Sequence, residues 1–343
     1  MIVRRAVLLL AFICSAGCQK PAGPLFQDGL GSTVWPKAPD RPRIRYIGQL
    51  SGEQSLNRGR TAWQSVGRVF RGPDPVTGFT TPVGVAARGD SVFVADSQAP
   101  AAYFLNLSNR AFRPVREAAG PLGWPMDVVV MNDEIAVADG KRAEVLVFAT
   151  SGEYRRSIGR GALKRPTSLA WDPANGHLFV VDAAAHGVVA FDSSGRELWR
   201  RASRGTGPGE FNYPAGIAFK TSVGLVVADS MNARVQILSP TGEPIRAFGR
   251  KGDAAGDFSL PRGVAIDSQD HIYVLDNQFE NVQIFDANGA LLMAFGHEGN
   301  GPGEFHLPAG IRIDDQDRIW IADAYNRRVQ VFQYLAERSN ETN

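Results

Sequence analysis

Short apolar runs alternate with polar turns along most of this chain. Six of these runs are rich in Val, Ile and Ala and end in an aspartate: VFVAD, IAVAD, LFVVD, LVVAD, IYVLD and IWIAD. Runs of this length, bounded by Gly, Pro, Asp and Asn, predict β-strands separated by turns. No stretch beyond the first 17 residues sustains a helical period. The pattern therefore predicts an all-β protein.

The same landmarks recur at a regular spacing, which indicates an internal repeat. Residues 205–219 (GTGPGEFNYPAGIAF) and 299–313 (GNGPGEFHLPAGIRI) are near copies, and GDAAGDFSLPRGVAI at 252–266 lies halfway between them. Each unit has a proline, then the run that ends in aspartate, then a further alternating run. Units of this size with four short strands match one propeller blade, so we predict a six-bladed β-propeller of four-stranded antiparallel blades. The repeat prolines are Pro82, Pro125, Pro166, Pro214, Pro261 and Pro308.

The last repeat lacks its outer strand. After Phe332 the chain continues only with QYLAERSNETN, whereas an earlier repeat continues with IRAFG at 245–249. The segment IRYIG at 44–48 has the same pattern and precedes the first blade. Because closure removes the exposed sheet edge, residues 43–50 are predicted to complete the last blade. The predicted propeller spans 43–334, with an insertion at 51–72 (a short helix or a loop) and a C-terminal tail at 335–343.

These repeats resemble the NHL-repeat family of propellers. The resemblance rests on units such as PAGIAF…LVVADSMNARVQIL and PAGIRI…IWIADAYNRRVQVF, and it covers roughly residues 43–332. Blades one to three depart from the pattern, because Asp127 and Ser168 replace the glycine after the proline and AAYFLNL at 101–107 replaces the RVQ strand. The resemblance implies the propeller fold, but a fold shared by many activities does not define a function.

The N-terminus predicts export and a lipid anchor. The chain begins MIVRRAVLLLAFICSAGCQK, with two arginines, an apolar stretch too short to span a bilayer, and small residues before Cys18. Residues 1–17 are interpreted as a signal peptide. The residues before Cys18 resemble a bacterial lipobox, in which the cysteine thiol is diacylated. The alternative is an ordinary signal peptide, because Ser15 stands where a lipobox usually has an aliphatic residue.

The residues that follow predict how the protein is held in the envelope. Residues 18–42 combine the lipidated cysteine with a stretch rich in Pro and Gly, which is interpreted as a tether. Gln19 resembles the residue that follows the cysteine in lipoproteins released to the outer membrane. The predicted location is the bacterial cell envelope, at the outer membrane if the source has one, with membrane contact through the lipid.

Composition limits the chemistry of the exported body. The only other cysteine, Cys14, lies in the predicted signal peptide, so the propeller has no disulfide and no catalytic thiol. Loss of Arg4 and Arg5 takes the formal charge from +2 to 0. A neutral body disfavours nucleic acid as a partner. We expect a monomer.

No catalytic or metal site stands out in the sequence. The repeat aspartates are interpreted as structural, because a carboxylate at the end of a strand can accept hydrogen bonds from nearby backbone N–H groups. Some similar propellers are metal-dependent lyases that hold their ion with histidines around the central channel. The histidines of this chain occupy different repeat positions, so we predict no cofactor, although calcium or zinc is not excluded. They are His177, His186, His271, His297 and His306.

Candidate binding residues are those at which the repeat varies. The clearest of these positions lie two residues beyond each aspartate and directly after each proline, and the candidates are taken from these positions and the residues beside them. Loops on a rigid scaffold concentrate binding residues, so we expect a binding face around the loops between second and third strands and the channel mouth. Sequence drift on an unused surface is the alternative explanation. The candidates are Asp127, Lys141, Arg142, Arg262, Phe279 and Tyr325.

Together these features favour a non-catalytic envelope lipoprotein that uses an NHL-type propeller to bind a protein or a glycan. A metal-dependent lyase or lactonase is the alternative, and it requires carboxylates and histidines to converge at the channel. RNA binding, as in the NHL domains of cytoplasmic regulators, fits poorly with export and a neutral body.

Overall fold

The protein is a six-bladed β-propeller, as the repeats predicted. The computed structural model describes residues 25–26, 33–56, 77–115 and 121–336. Each blade is a four-stranded antiparallel sheet whose strands follow chain order, except that the last blade takes strands from the N-terminus. The first strands of neighbouring blades contact one another around the whole ring. They therefore form the wall of the central channel.

The strands follow the chain in six groups. β1 (Val34–Trp35) and β2 (Ile44–Leu50) precede blade 1, which consists of β3 (Pro82–Arg88), β4 (Ser91–Asp96), β5 (Ala101–Asn106) and β6 (Phe112–Val115). Blade 2 has β7 (Pro125–Met131), β8 (Glu134–Asp139), β9 (Glu144–Ala149) and β10 (Tyr154–Ile158). Blade 3 has β11 (Pro166–Asp172), β12 (His177–Asp182), β13 (Gly187–Asp192) and β14 (Glu197–Ala202). Blade 4 has β15 (Ile217–Lys220), β16 (Gly224–Asp229), β17 (Arg234–Leu238) and β18 (Pro244–Phe248). Blade 5 has β19 (Pro261–Ile266), β20 (Ile272–Asp276), β21 (Asn281–Phe285) and β22 (Leu291–Phe295), followed by the short parallel pair β23 (His297–Glu298) and β24 (Glu304–Phe305). Blade 6 has β25 (Gly310–Ile313), β26 (Arg318–Asp323) and β27 (Arg328–Tyr334).

Strand β2 closes the ring by completing blade 6, which confirms the prediction from IRYIG. It pairs antiparallel with β27, and Ile44 lies opposite Tyr334 while Leu50 lies opposite Val329. The observed strand starts one residue later than the predicted range of 43–50. Strands from the two ends of the propeller therefore share one sheet, and β27 has no unpaired edge.

The hydrophobic core lies between adjacent blades. Phe93 of blade 1 and Val137 of blade 2 belong to one buried cluster, and Phe179 of blade 3 packs in a cluster with Leu225 of blade 4. Both faces of each sheet are covered in this way, which explains why the second strands are almost entirely apolar. The phenylalanines of the PGEF-type segments are fully buried, as expected for side chains packed between blades: Phe211, Phe258 and Phe305.

The repeat aspartates are structural, as the sequence indicated. Asp139 is fully buried, and its Oδ2 accepts a hydrogen bond from the Gly123 N–H at 2.6 Å. Its Oδ1 accepts from the N–H groups of Trp124 at 2.9 Å and Arg142 at 3.0 Å. One carboxylate thus joins the entry to the first strand with the loop after the second strand. The remaining aspartates also accept N–H groups from the segment before their first strand: Asp96, Asp182, Asp229, Asp276 and Asp323.

Part of the segment interpreted as a tether is folded onto the propeller. The prediction covered residues 18–42, but β1 lies within this range and pairs with β2 as a fifth strand of blade 6. The Trp35 ring packs against Phe295 and Phe332, at centroid distances of 5.5 and 5.8 Å. These ring contacts and the hydrogen bond from the Arg43 N–H to the Trp35 carbonyl at 2.7 Å hold the strand in place. A two-residue strand leaves no periodic signal in a stretch rich in proline.

Replacing Trp35 with alanine is expected to lower the free energy of unfolding by about 2 kcal/mol, because a half-buried indole loses its apolar contacts. Urea unfolding of the protein measures this loss. Leu292, which is 51% exposed on β22, provides the control, and its replacement with alanine should cost less than about 0.5 kcal/mol. Equal stability of the Trp35 variant and the native chain would contradict the packing of β1.

Several predicted segments lie wholly or partly outside the described residues. These include the signal peptide at 1–17, Cys18, most of the insertion at 51–72 and most of the tail at 335–343. The insertion begins with a 3-10 helix at Glu53–Leu56. Ser51 and Phe79 lie next to one another, because the Phe79 N–H donates to the Ser51 carbonyl at 3.0 Å. The described ranges contain no helix with the length and apolar character needed to cross a membrane.

Candidate functional site

A cavity of about 290 Å³ opens at one end of the central channel. Its volume lies at the lower end of the range for small-molecule sites. The residue directly after every repeat proline contributes to its wall, and this is one of the positions at which the repeat varies. These six residues are Val83, Met126, Thr167, Ala215, Arg262 and Ala309.

Glycines of the repeat keep this part of the channel narrow. A Cβ atom on Gly216 would lie 2.4 Å from the Arg262 carbonyl oxygen, and one on Gly310 would lie 2.4 Å from the Val83 oxygen. Neighbouring first strands therefore approach as closely as they do only because these positions carry no side chain.

An ion pair between Asp127 and Arg312 crosses the channel below the cavity. Arg312, on the first strand of blade 6, donates from Nη2 to Asp127 Oδ2 at 2.7 Å and to the Leu169 carbonyl at 2.5 Å. Its Nη1 donates to the Ile217 carbonyl at 3.2 Å. The arginine thus reaches blades 2, 3 and 4 from blade 6. It also lines a second cavity of about 300 Å³ farther along the first strands, so its side chain separates the two.

Asp127 is fully engaged in this network. Besides the Arg312 guanidinium, its Oδ2 accepts from Ser168 Oγ at 2.8 Å and from the Leu169 N–H at 2.9 Å. The Ser168 Oγ in turn accepts from the Ile217 N–H at 3.2 Å. A carboxylate with a bound counterion and several donors is poorly suited to act as a general base or a metal ligand.

Arg312 was not among the residues predicted from the sequence, although the sequence contains a signal for it. Arg312 occupies the fourth position after the repeat proline, in the strand that lines the channel. Asp127 is likewise an exception, because it replaces a glycine two positions after its proline. Two residues of opposite charge that depart from the repeat in the innermost strands are candidates for an ion pair across the channel. The other blades have a small residue at the position of Arg312: Ala86, Val129, Ala170, Ala218 and Ala265.

Arg262 brings a second cation to the cavity wall, and its charge is not compensated there. Its side chain makes no hydrogen bond or ion pair with any residue that the structure describes. Burial lowers the pKa of the Arg262 guanidinium. An arginine side chain nevertheless keeps its charge in proteins. Arg262 is half-buried, and even partial burial of a charge without a partner is costly, which makes this position unusual in a purely structural wall.

The cavity and its rim are positively charged. Arg165, Arg262 and Arg312 line the cavity, whereas Asp127 is its only acidic lining residue among those described. At the rim, desolvation and the charges of Arg204, Lys164 and Arg165 lower the pKa of His186, against an opposing contribution from Asp229. The electrostatic environment of the channel mouth therefore favours anions.

Exposed apolar side chains surround the cavity mouth. Trp124, Tyr213 and Met231 line the cavity and are 41%, 41% and 59% exposed. Leu307 and Tyr325, which are 40% and 67% exposed, occupy in blade 6 the repeat positions of Tyr213 and Met231. In the described part of the chain, the other large apolar side chains with comparable exposure lie on outermost strands: Leu198, Ile245 and Leu292.

The structure brings two of the six candidate binding residues into the cavity. Asp127 lies in its floor and Arg262 in its wall. Arg142 instead forms an ion pair with Glu144, at 2.8 Å between Nε and Oε1. The remaining candidates lie with it in loops between second and third strands, outside the cavity wall: Lys141, Phe279 and Tyr325.

The histidines do not gather at the channel. None of them lines either channel cavity in the described part of the chain. Glu280, Glu298 and His306 place ligand atoms within 4.8 Å of one another where blade 5 meets blade 6. His306 Nδ1 lies 3.2 Å from Glu280 Oε1, which also accepts from the Leu307 N–H at 3.0 Å. Local contacts therefore explain the positions of Glu280 and His306.

Comparisons with known proteins agree with the fold. A family model described as a 6-bladed beta-propeller matches residues 264–340, within blades 5 and 6 and the tail. No curated protein sequence matches the chain. A structural genomics protein of unknown function from Bacteroides thetaiotaomicron superposes with a TM-score of 0.61 at 16% identity, over 74% of this chain and 70% of that one.

Two enzymes of known structure also share the fold. Virginiamycin B lyase from Staphylococcus aureus has a TM-score of 0.57 at 14% identity, over 75% of this chain and 96% of the lyase. A gluconolactonase from Xanthomonas campestris has a TM-score of 0.57 at 15% identity, over 75% of this chain and 87% of that one. At such identities the similarity concerns architecture alone.

Proposed function

We propose that this protein is a non-catalytic binding propeller of the bacterial cell envelope, and that the face around the channel mouth is its binding surface. The observation that supports this proposal is the concentration of exposed apolar side chains around a positively charged cavity on one face. Exposed apolar patches of this kind mark interaction sites. Aromatic and arginine side chains are enriched in binding interfaces.

The proposed partner is a protein or a glycan of the envelope, reached by a propeller of NHL type that is anchored through a lipid on Cys18. The signal sequence and the lipobox resemblance support export and anchoring. The repeat pattern supports the NHL assignment. The repeat pattern has a structural basis, because side chains of the RVQ strand donate to backbone carbonyls of the preceding GTGPGEF segment. Arg234 Nη2 and Gln236 Nε2 both donate to the Glu210 carbonyl, at 3.0 and 2.7 Å.

The lyase and the lactonase that share the fold do not provide a mechanism for this cavity. The one acidic side chain that lines it among the described residues, Asp127, is neutralised by Arg312. The charged groups left in the wall are arginines, which bind and orient anions but do not exchange protons at neutral pH. Binding is therefore the function that this geometry supports best.

Site-specific photocrosslinking tests the proposed surface. A benzophenone amino acid is placed at Tyr325 or at Met231 in the anchored, full-length protein, and the envelope is irradiated. Crosslinks to the same envelope protein or glycan are expected from both positions, because both lie on the proposed face.

Ile245 and Leu292 provide matched controls, because they are 55% and 51% exposed but lie on outermost strands. Crosslinker at these positions should capture little or none of that partner. Equal capture from the control positions, or no capture from Tyr325 and Met231, would contradict the assignment of the binding surface.

A further inference from the structure

We infer that the channel cavity binds a small organic acid, whose carboxylate pairs with Arg262 while its apolar body packs against the cavity wall. The inference rests on the proposed function, because it assigns a class of ligand to the same face.

Charge is the first reason for this assignment. The charge of Arg312 is compensated by Asp127 at 2.7 Å, and the Arg165 guanidinium lies over the Tyr213 ring, 5.7 Å from its centroid. Arg262 has neither kind of partner among the described residues. At its position the other five blades carry uncharged side chains. A ligand carboxylate would supply the missing counterion, and a guanidinium can bind it with two parallel hydrogen bonds.

The hydrogen bonds of the wall are the second reason. Thr167 Oγ1 donates to the Ala215 carbonyl at 3.3 Å, and Ser230 Oγ donates to the Pro261 carbonyl at 2.6 Å. The Ser168 hydroxyl donates to Asp127. The hydroxyl groups of Thr167, Ser168 and Ser230 are therefore engaged within the protein. A polyol would find few free partners here, whereas an anion finds an uncompensated guanidinium.

The apolar part of the cavity wall determines the size and polarity of the rest of the ligand. Apolar residues from several blades surround the arginine, and such surroundings strengthen an ion pair by excluding water. A cavity of about 290 Å³ accommodates a compact acid with one aromatic ring or a short branched chain. The apolar lining includes Val83, Val85, Met126, Val264 and Ile311.

Titration calorimetry with matched acids and amides tests the inference. The probes are phenylacetate and 4-methylpentanoate, with phenylacetamide and 4-methylpentanamide as neutral analogues of the same shape, added to the exported chain. We expect each acid to bind with a Kd below about 1 mM and each amide to bind at least about tenfold more weakly. Equal affinity for an acid and its amide would show that the charge of the carboxylate does not contribute to binding, and would overturn the inference.

A pair of variants locates the effect. Arg262→Gln should remove the preference for the acid over its amide. Arg155→Gln removes the same charge from β10, where Arg155 is 49% exposed and lies 3.5 Å from Glu153, and should leave the preference unchanged. Circular dichroism confirms folding of both, and the comparison of acid with amide in the native chain remains decisive if a variant does not fold.

The failures of the two proposals are distinguishable. Acid binding that survives in Arg262→Gln, or no binding of either acid at about 10 mM, overturns the inference but leaves photocrosslinking from Tyr325 and Met231 as expected. Acid binding that depends on Arg262, with no crosslinked partner, would instead support the ligand site and contradict the wider binding surface.

Discussion

Replacement of Asp127 with alanine is expected to lower the free energy of unfolding by about 3 to 5 kcal/mol, because it leaves Arg312 buried without its counterion. The side chains of Asp127 and Arg312 are only 10% and 16% exposed, and their contact is 2.7 Å. The change also removes the acceptor of Ser168 Oγ and of the Leu169 N–H. Urea unfolding monitored by circular dichroism measures the loss.

A double variant separates the ion pair from other effects of the substitution. The comparison uses Asp127→Gly and Arg312→Ala, each alone and together, because most other blades carry glycine and alanine at these positions. The double variant leaves no charge without a partner. Its loss in free energy of unfolding should therefore be smaller than the sum of the two single losses, by about 1 to 3 kcal/mol. Strictly additive losses would show that Asp127 and Arg312 do not stabilise one another.

Replacement of Asp323 with alanine is the second change with a large expected effect. It should lower the free energy of unfolding by about 4 kcal/mol or more. Asp323 is fully buried, and its Oδ2 accepts from Arg328 Nε at 2.8 Å and from Gln330 Nε2 at 3.0 Å. Its Oδ1 accepts from the His306 N–H at 2.8 Å. Removal leaves a buried cation and several donors without partners.

This variant should also loosen the closing strand. Arg328 Nη1 donates to Gln49 Oε1 of β2 at 2.9 Å, so the position of Asp323 is linked to the junction between the chain ends. Faster hydrogen exchange in β2 is expected. Asp229→Ala is the matched control, because Asp229 holds Arg234 in the same way in blade 4, where no N-terminal strand is present. Equal exchange in β2 for both variants would contradict the link.

The repeats made the fold predictable, because each unit carries its own proline, aspartate and strand pattern. Ring closure followed from one missing strand and one spare strand. Arg262 could be found as a departure from the repeat at a position that proved to line the channel. The pair of Asp127 and Arg312 was harder to predict, because 185 positions separate the two residues and only the closed ring brings them together. β1 was missed because its stability comes from contacts of Trp35 with distant strands.

The contact of Phe26 with blade 6 would determine how a propeller anchored through Cys18 is held above a bilayer. Its ring lies 6.0 Å from that of Trp320, and Leu25 packs against the same core cluster. If Cys18 carries a lipid, only residues 19–24 separate the anchor from this contact, and this segment reaches about 25 Å when extended. A segment that short would restrict the rotation of the propeller and keep the side of blade 6 near the lipid headgroups. The point of attachment would then largely determine how the channel mouth is oriented towards other envelope components.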